Sequence, residues 1–182
     1  MNDARIASRR VYTGRVFNFD VDQVRFPDGS TGELEIIRHP GASAVVPFLS
    51  DPRGDDPQVL LIKQYRYAAD GYLYEVAAGR LEPGESPIEC ARRELREETG
   101  CEAEALTPLM SLFTTPGFTD EIIHLFIATG ITRGPARTEA DQFLTVEAMS
   151  LSHAMGLIQR GEIRDAKTVV TLLYAAGFIA GR

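Results

Sequence analysis

The segment GRLEPGESPIECARRELREETGC, residues 79–101, decides how this chain folds. Ser86, Pro87 and Glu89 supply an N-cap, a proline suited to the first helical position and the acid of a capping box, so we expect a helix to begin at Pro87. Gly100 stands where a left-handed residue commonly ends a helix. The segment therefore predicts a helix with both ends defined.

Three acidic side chains share one flank of this predicted helix. Glu94 and Glu98 are four residues apart and Glu97 is three residues from Glu94, so their carboxylates crowd together and repel each other. A hard divalent cation such as Mg2+ or Mn2+ would relieve the repulsion, because such ions take oxygen ligands and bridge carboxylates to phosphates. Acidic helix faces are more often plain solvated surfaces, but here Gly79 and Glu85 stand in register with the helix and favour a metal site.

The rest of the helix is expected to pack and to hold the acids. Ile88, Ala91 and Leu95 repeat at helical spacing and should face the core. Arg93 is placed to pair with a neighbouring glutamate. The loop before the helix, residues 79–84, is expected to form a tight turn after a strand.

Composition excludes several classes of protein. The 182 residues suit one domain, and no apolar run is long enough to span a bilayer. A net charge of −7 argues against nucleic acid as a partner. The two cysteines make no disulfide framework, and the first residues lack the apolar region of a secretory signal, so we expect a cytoplasmic protein.

Alternating and apolar runs along the chain predict strands with a few interspersed helices. Such a pattern favours an α/β fold with a mixed β-sheet sandwiched between α-helices. A polar loop is expected from Thr129 to Gln142. The predicted strand regions are Val11–Arg25, Glu33–Arg38, Ala44–Leu49, Val59–Ile62, Tyr72–Ala77, Ala105–Phe113, Ile122–Ala128 and Phe143–Val146, and the later helices are Ser150–Gln159 and Asp165–Ile179.

The spacing of residues 79–101 matches the pattern G-x5-E-x7-R-E-U-x-E-E-x-G-U, with U aliphatic, so the chain resembles the Nudix hydrolases. Only Cys101, at the last U, departs from it. The resemblance implies the Nudix fold and metal-assisted hydrolysis of a nucleoside diphosphate linked to another group. It also implies roles for residues of this pattern, the Nudix box, and for Ala78 just before it: Glu94, Glu97, Glu98 and the carbonyl of Ala78 as ligands of Mg2+ (or Mn2+), and Glu97, Arg93 and Glu85 as catalytic residues.

A second segment, residues 111–121, is similar to the S/T-P-G-F-x-D-E segment of ADP-ribose pyrophosphatases. Pro116 follows Gly100 by sixteen residues (116 − 100), as is typical of that subfamily. Residues 64–67 and 73–79 are also similar to it, except that Ala77 replaces a usual proline. The resemblance implies hydrolysis of ADP-ribose to AMP and ribose 5-phosphate.

Substrate-binding roles follow from this resemblance and from side-chain chemistry. Arginine binds phosphate in a fork, so Arg66 and Arg80 are candidates for binding the diphosphate; a surface salt bridge is the alternative interpretation of each. Glu75 could accept hydrogen bonds from a ribose or a base. Glu82 should assist the reaction. Phe118 and Thr119 are expected to line the substrate pocket, and Val16 and Phe17 to contact the base. Plain packing is the alternative interpretation for Phe118, Val16 and Phe17.

The resemblance also implies a homodimer. Residues 1–40 would form an N-terminal β extension exchanged between subunits, and residues 41–182 the Nudix domain. The general base is commonly an acid on the loop before the last strand, where Glu139 is the first candidate, with Asp141 and Glu121 behind it. Ala140 and Gln142 replace expected acids there.

Two other functions remain open. The segment from Gly161 to Thr168 is similar to one in GDP-mannose hydrolases, so a GDP-mannose or broader nucleoside diphosphate sugar hydrolase is the alternative. A Nudix sensor that binds without cleaving ranks lower, because this chain keeps every box glutamate.

Overall fold

The structure is a computed structural model that describes residues 4–134 and 143–180, and this part of the chain forms ten strands and three α-helices. The strands are β1 (Arg5–Thr13), β2 (Asn18–Arg25), β3 (Thr31–Arg38), β4 (Ala42–Pro47), β5 (Gln58–Arg66), β6 (Gly71–Glu75), β7 (Ala77–Arg80), β8 (Cys101–Phe113), β9 (Ile122–Arg133) and β10 (Leu144–Ser150). The helices are α1 (Pro87–Thr99), α2 (Leu151–Gln159) and α3 (Ala166–Ala175), and a π-helical turn follows at Ala176–Ala180. No helix in the described ranges is long and apolar enough to cross a membrane.

The strands form three sheets, ordered β1-β2-β3, β10-β5-β6 and β7-β4-β9-β8. β5 pairs with β6 in antiparallel register, with Ile62 opposite Glu75 and Arg66 opposite Gly71. β4 is buried at all six of its positions, and both α1 and α3 pack against it. The predicted α/β fold, with sheets covered by helices, is confirmed.

The chain divides into two compact units. The first unit comprises Met1–Gly41 and Leu112–Ile123, and it contains the sheet β1-β2-β3. The second unit comprises Ala42–Ser111 and His124–Arg182, with a core built from β4, β5, β8, β9 and α1. The role of residues 1–40 in a dimer stays a prediction.

The ends of α1 lie where the sequence predicts them. The helix begins at Pro87, and the Ser86 N–H donates to Glu89 Oε2 at 2.9 Å in the expected capping box. Gly100 ends it with a left-handed backbone, φ 69°. This conformation favours glycine because it has no Cβ to clash with the preceding turn.

The predicted core face of α1 is correct for Ala91 and Leu95, which are fully buried, but wrong for Ile88, which is 42% exposed. Ile88 lies in the first helical turn, ahead of the buried stripe that begins at Cys90, and so does not share the packing of the later turns.

Several strand boundaries differ from prediction; β8, for example, begins at Cys101 and not at Ala105, and β10 ends at Ser150 and not at Val146. β9 continues to Arg133, so the expected polar loop from Thr129 is wrong over its first five residues, where Ile131 and Thr132 suit a strand. The predicted strand Val11–Arg25 is wrong at its centre: Val16 and Phe17 lie in the turn between β1 and β2, where the Gly14 N–H donates to the Phe17 carbonyl at 3.0 Å.

Candidate active site

In the second unit, helix α1 packs on strand β7, and the acidic flank of the helix faces the backbone of that strand. A Cβ on Gly79 would lie 1.9 Å from Glu94 Oε1, so only glycine lets this carboxylate rest against the strand. The Ala78 N–H, on the same strand, donates to Glu98 Oε2 at 2.9 Å. The glycine that begins the box therefore makes room for one of its acids.

Glu98 is the most buried of these acids, at 4% exposed. Burial raises its pKa to about 8, the hydrogen bond from Ala78 opposes the rise, and the charge of Glu94 adds to it. Burial likewise raises the pKa of Glu94, although Arg93 offsets part of the rise. The two carboxylates thus lie in a place that disfavours their charge.

Arg93 connects the other acids of the helix and of the loop before it. Its Nε and Nη2 donate to the two oxygens of Glu85 at 2.8 and 2.9 Å. Its Nη1 donates to Glu94 Oε1 at 2.5 Å and to Glu97 Oε2 at 3.2 Å, and Nη2 also reaches the Arg80 carbonyl at 3.1 Å. The hydrogen bond from Arg93 lowers the pKa of Glu85 to about 2. Arg93 therefore holds three glutamates at once, as expected of a residue that orients them.

The donor chemistry of this cluster suits a hard divalent cation, but its side chains are not gathered around one point. Over residues 4–134 and 143–180, no group of three or more His, Cys, Asp or Glu side chains is arranged to hold a metal. Arg93 draws Glu94 and Glu97 to itself, while Glu98 accepts from the strand. The excess of carboxylates over arginines fits Mg2+ or Mn2+. The ligand roles of these residues stay predictions.

A second charged cluster joins the end of β5 to the start of α3. Glu75 is 2% exposed, and its oxygens accept from Arg66 Nε at 2.6 Å, Arg66 Nη2 at 2.8 Å and Lys167 Nζ at 2.5 Å. Burial alone would raise the pKa of Glu75, but the hydrogen bond from Arg66 and the charge of Lys167 outweigh it, so the pKa lies below its usual value. Both oxygens of Glu75 are thus occupied by cations of the protein.

Lys167 was not predicted as a site residue. It also donates to Asp165 Oδ2 at 2.9 Å, and the Asp165 side chain caps α3 by accepting from the Thr168 N–H. The signal lies in the sequence Asp165-Ala166-Lys167, where an N-cap acid precedes a lysine by two residues. Its contact with Glu75 spans 92 residues and has no local signature.

The other predicted site residues are distributed over both units. Phe118 and Thr119 belong to the first unit, in the connection from β8 to β9, where Thr119 is buried and the Phe118 side chain is exposed. Glu121 Oε2 accepts from Thr114 at 2.8 Å. Of the rest, Val16 and Phe17 are exposed, the Glu82 N–H donates to Glu85 Oε2 at 2.9 Å, and Glu139 and Asp141 lie outside the described residues.

The α/β fold and the acidic helix α1, packed on the glycine-containing strand β7, agree with the Nudix diphosphatase class that the sequence pattern of residues 79–101 indicates. The family model described as NUDIX domain matches residues 39–172, and the chain belongs to that family.

Individual relatives resemble nearly the whole chain. A methanol dehydrogenase activator of Bacillus methanolicus is 39% identical over 93% of this chain and 90% of its own length. An ADP-ribose pyrophosphatase of Bacillus subtilis is 35% identical over 96% of this chain and 92% of its own. A solved structure of an ADP compounds hydrolase superposes with a TM-score of 0.81 at 24% identity, covering 97% of this chain and 94% of that one, which shows the same fold.

Proposed function

We propose that this chain hydrolyses the diphosphate of ADP-ribose to AMP and ribose 5-phosphate, in a reaction that depends on a divalent cation. The observation that carries the proposal is the buried pair Glu94 and Glu98, whose carboxylates outnumber the cations near them. The substrate is supported by the Pro116 segment and by the relative named ADP-ribose pyrophosphatase.

The cation, Mg2+ or Mn2+, would be held by Glu94, Glu97, Glu98 and the carbonyl of Ala78. When bound, it would supply charge to the diphosphate oxygens and lower the pKa of a bound water. Arg93 holds Glu94 and Glu97 in reach and keeps Glu85 ionised, so these glutamates are oriented by one guanidinium. We propose this orienting function for Arg93 and Glu85, with Glu82 assisting through its N–H bond to Glu85.

Arg66 would bind the diphosphate. Its side chain is 43% exposed although Nε and Nη2 bind Glu75, so part of the guanidinium stays open to a ligand. Because Arg66 and Lys167 hold both oxygens of Glu75, we propose that Glu75 positions Arg66; its acceptance of a hydrogen bond from a ribose or a base stays a prediction. Arg80, two residues after Ala78 on β7, stays a second candidate for binding the diphosphate.

The remaining assignments rest on the family resemblance. Phe118 and Thr119 would contact the substrate, and Val16 and Phe17 would contact the base across a homodimer formed through residues 1–40. The exposure of every residue of β1 is compatible with such a partner. Glu139 remains the proposed general base, ahead of Asp141 and of Glu121, which is already hydrogen-bonded to Thr114.

A substrate panel tests the proposal. ADP-ribose, GDP-mannose, ADP-glucose and NADH are each incubated with the protein in Mg2+ and in EDTA, and nucleotide products are separated and quantified. We expect ADP-ribose to have the highest kcat/KM, AMP to be released, and EDTA to stop the reaction. Binding of ADP-ribose without turnover would instead identify a sensor.

GDP-mannose is the second candidate, favoured by the segment from Gly161 to Thr168. Lys167 of this segment donates a hydrogen bond to Glu75, which also binds Arg66, the proposed diphosphate ligand. The segment is therefore in contact with the proposed substrate-binding residues. Turnover of GDP-mannose at or above the rate for ADP-ribose would replace the proposed substrate, and equal turnover of several sugars would define a broad hydrolase.

A further inference from the structure

The connection from β8 to β9, Thr114–Glu121, is attached to the end of β3 within the first unit. Its base is closed by the Thr114 N–H, which donates to the Glu121 carbonyl at 3.3 Å. Between these two residues lies the segment that resembles the ADP-ribose pyrophosphatases. What fixes its conformation therefore bears on substrate choice.

Backbone hydrogen bonds make the first part of this attachment. The Ile37 N–H donates to the Phe118 carbonyl at 2.8 Å, and the Asp120 N–H donates to the Ile37 carbonyl at 3.2 Å. Ile37 and Thr119 thereby form a short parallel bridge. One residue of β3 thus fixes the backbone on both sides of Thr119.

The Asp120 side chain makes the second part. Its Oδ1 accepts from the His39 N–H at 2.9 Å and its Oδ2 accepts from Arg38 Nη1 at 3.0 Å. Arg38 is itself held from β2, by Asp20 at 3.3 Å and by Asp22, and both aspartates are buried. Asp120 therefore pairs with an arginine that Asp20 and Asp22 of β2 already hold in position.

We infer that Arg38 and Asp120 are positioning residues that set substrate affinity by holding Phe118 and Thr119 in one conformation. The inference rests on the proposed function, which makes these two residues substrate contacts. Phe118 is 52% exposed while its carbonyl is hydrogen-bonded to β3, so its ring is presented from a fixed backbone. A contact ordered before binding loses less conformational entropy when the ligand arrives.

Steady-state kinetics of Asp120→Ala on ADP-ribose test the inference. We expect KM to rise about tenfold while kcat stays within about twofold, since the chemical groups are untouched. Asp120→Asn keeps an acceptor for His39 and should give an intermediate KM. Asp55→Ala, an exposed aspartate of the second unit, is the matched control and should leave both constants unchanged. An unchanged KM in Asp120→Ala, or a fall in kcat alone, overturns the inference.

A second measurement does not depend on turnover. The chain has no tryptophan, so Phe118→Trp creates a single fluorescent reporter on the connection. Adding Asp120→Ala to this variant should raise acrylamide quenching and lower the fluorescence anisotropy; equal values in the two proteins overturn the inference. If the wild-type protein fails to cleave ADP-ribose, the proposed function falls, and the fluorescence still decides whether Asp120 holds the connection.

Discussion

Glu75 and Glu98 are two glutamates of the second unit that are buried almost equally, at 2% and 4% exposed, yet their pKa values move in opposite directions. Arg66 and Lys167 hold the pKa of Glu75 below its usual value in spite of burial. Glu98 accepts only the Ala78 N–H among the described hydrogen bonds, and burial raises its pKa to about 8.

The comparison separates a carboxylate whose counter-charge comes from side chains of the protein from one whose counter-charge would come from a ligand. Burial of an ion is costly unless a counter-charge lies beside it. Glu75 obtains that counter-charge from the fold, whereas Glu98 and Glu94 share too little of it. A bound cation is the ligand that would supply the difference.

The largest effect is expected from Glu98→Gln. Turnover of ADP-ribose should fall about 100-fold or more, because an amide is a poor ligand for a hard cation. Its Tm without metal should equal that of the wild type at neutral pH, where burial keeps Glu98 protonated, and exceed it above pH 8, where the wild type buries a charge. Glu102→Gln, an exposed residue of β8, is the control for activity and stability. Full activity in Glu98→Gln would remove this carboxylate from the reaction.

Unlike Glu98→Gln, Glu75→Gln is expected to destabilise the folded protein. Arg66 and Lys167 would lose their shared carboxylate, so the free energy of unfolding in urea should fall by about 3 kcal/mol. KM for ADP-ribose should also rise as Arg66 loses its support. A variant as stable as the wild type would show that the two cations are well solvated without Glu75.

The pH dependence of stability sharpens the comparison further. Because the pKa of Glu98 is raised from 4.5 to about 8, the folded protein binds more protons than the unfolded chain within that interval. In EDTA, this stabilisation is present below pH 4.5 and is lost as pH rises through 8, by up to about 5 kcal/mol.

Tm measured from pH 5 to pH 8.5 in EDTA should therefore decline more in the wild type than in Glu98→Gln. Mg2+ at high pH should raise the Tm of the wild type and leave that of the variant nearly unchanged. Parallel profiles for the two proteins would mean that Glu98 titrates as an ordinary glutamate.

The smallest effect is expected from Lys167→Met. Glu75 keeps both hydrogen bonds from Arg66, so the loss of unfolding free energy should be about 1 kcal/mol, less than for Glu75→Gln. Arg164→Met, an exposed neighbour, is the matched control in the same urea titration. A loss as large as that of Glu75→Gln would make Lys167 the main partner of the carboxylate.

Local chemistry explains which parts of this fold could be predicted from the sequence. Ser86 and Pro87 act on the first turn of α1, and Gly100 acts on its last turn. Because these effects are local, the sequence predicts both ends of the helix correctly. Periodicity placed Ile88 on the core face, but whether a first turn is covered depends on the elements packed beside it. Likewise, Thr129 reads as a loop residue although β9 continues through it.

Long-range pairing explains what was missed. The acids of α1 are close in sequence, whereas Lys167 meets Glu75 across 92 residues and Arg38 meets Asp120 across 82. Neither pair carries a pattern that a single sequence reveals. The sequence predicts that Arg93 pairs with a neighbouring glutamate. Its simultaneous hydrogen bonds to three glutamates are seen only in the folded structure.

Gly79 has a consequence for how this protein tolerates mutation. The position holds no functional group, yet even an added methyl would meet Glu94 Oε1 at 1.9 Å and displace that side chain. In a library of random variants, position 79 should therefore lose activity as often as the acidic positions do, while many of its variants still fold and accumulate. A screen that scores abundance and activity separately would find this residue among the inactive but well-expressed class.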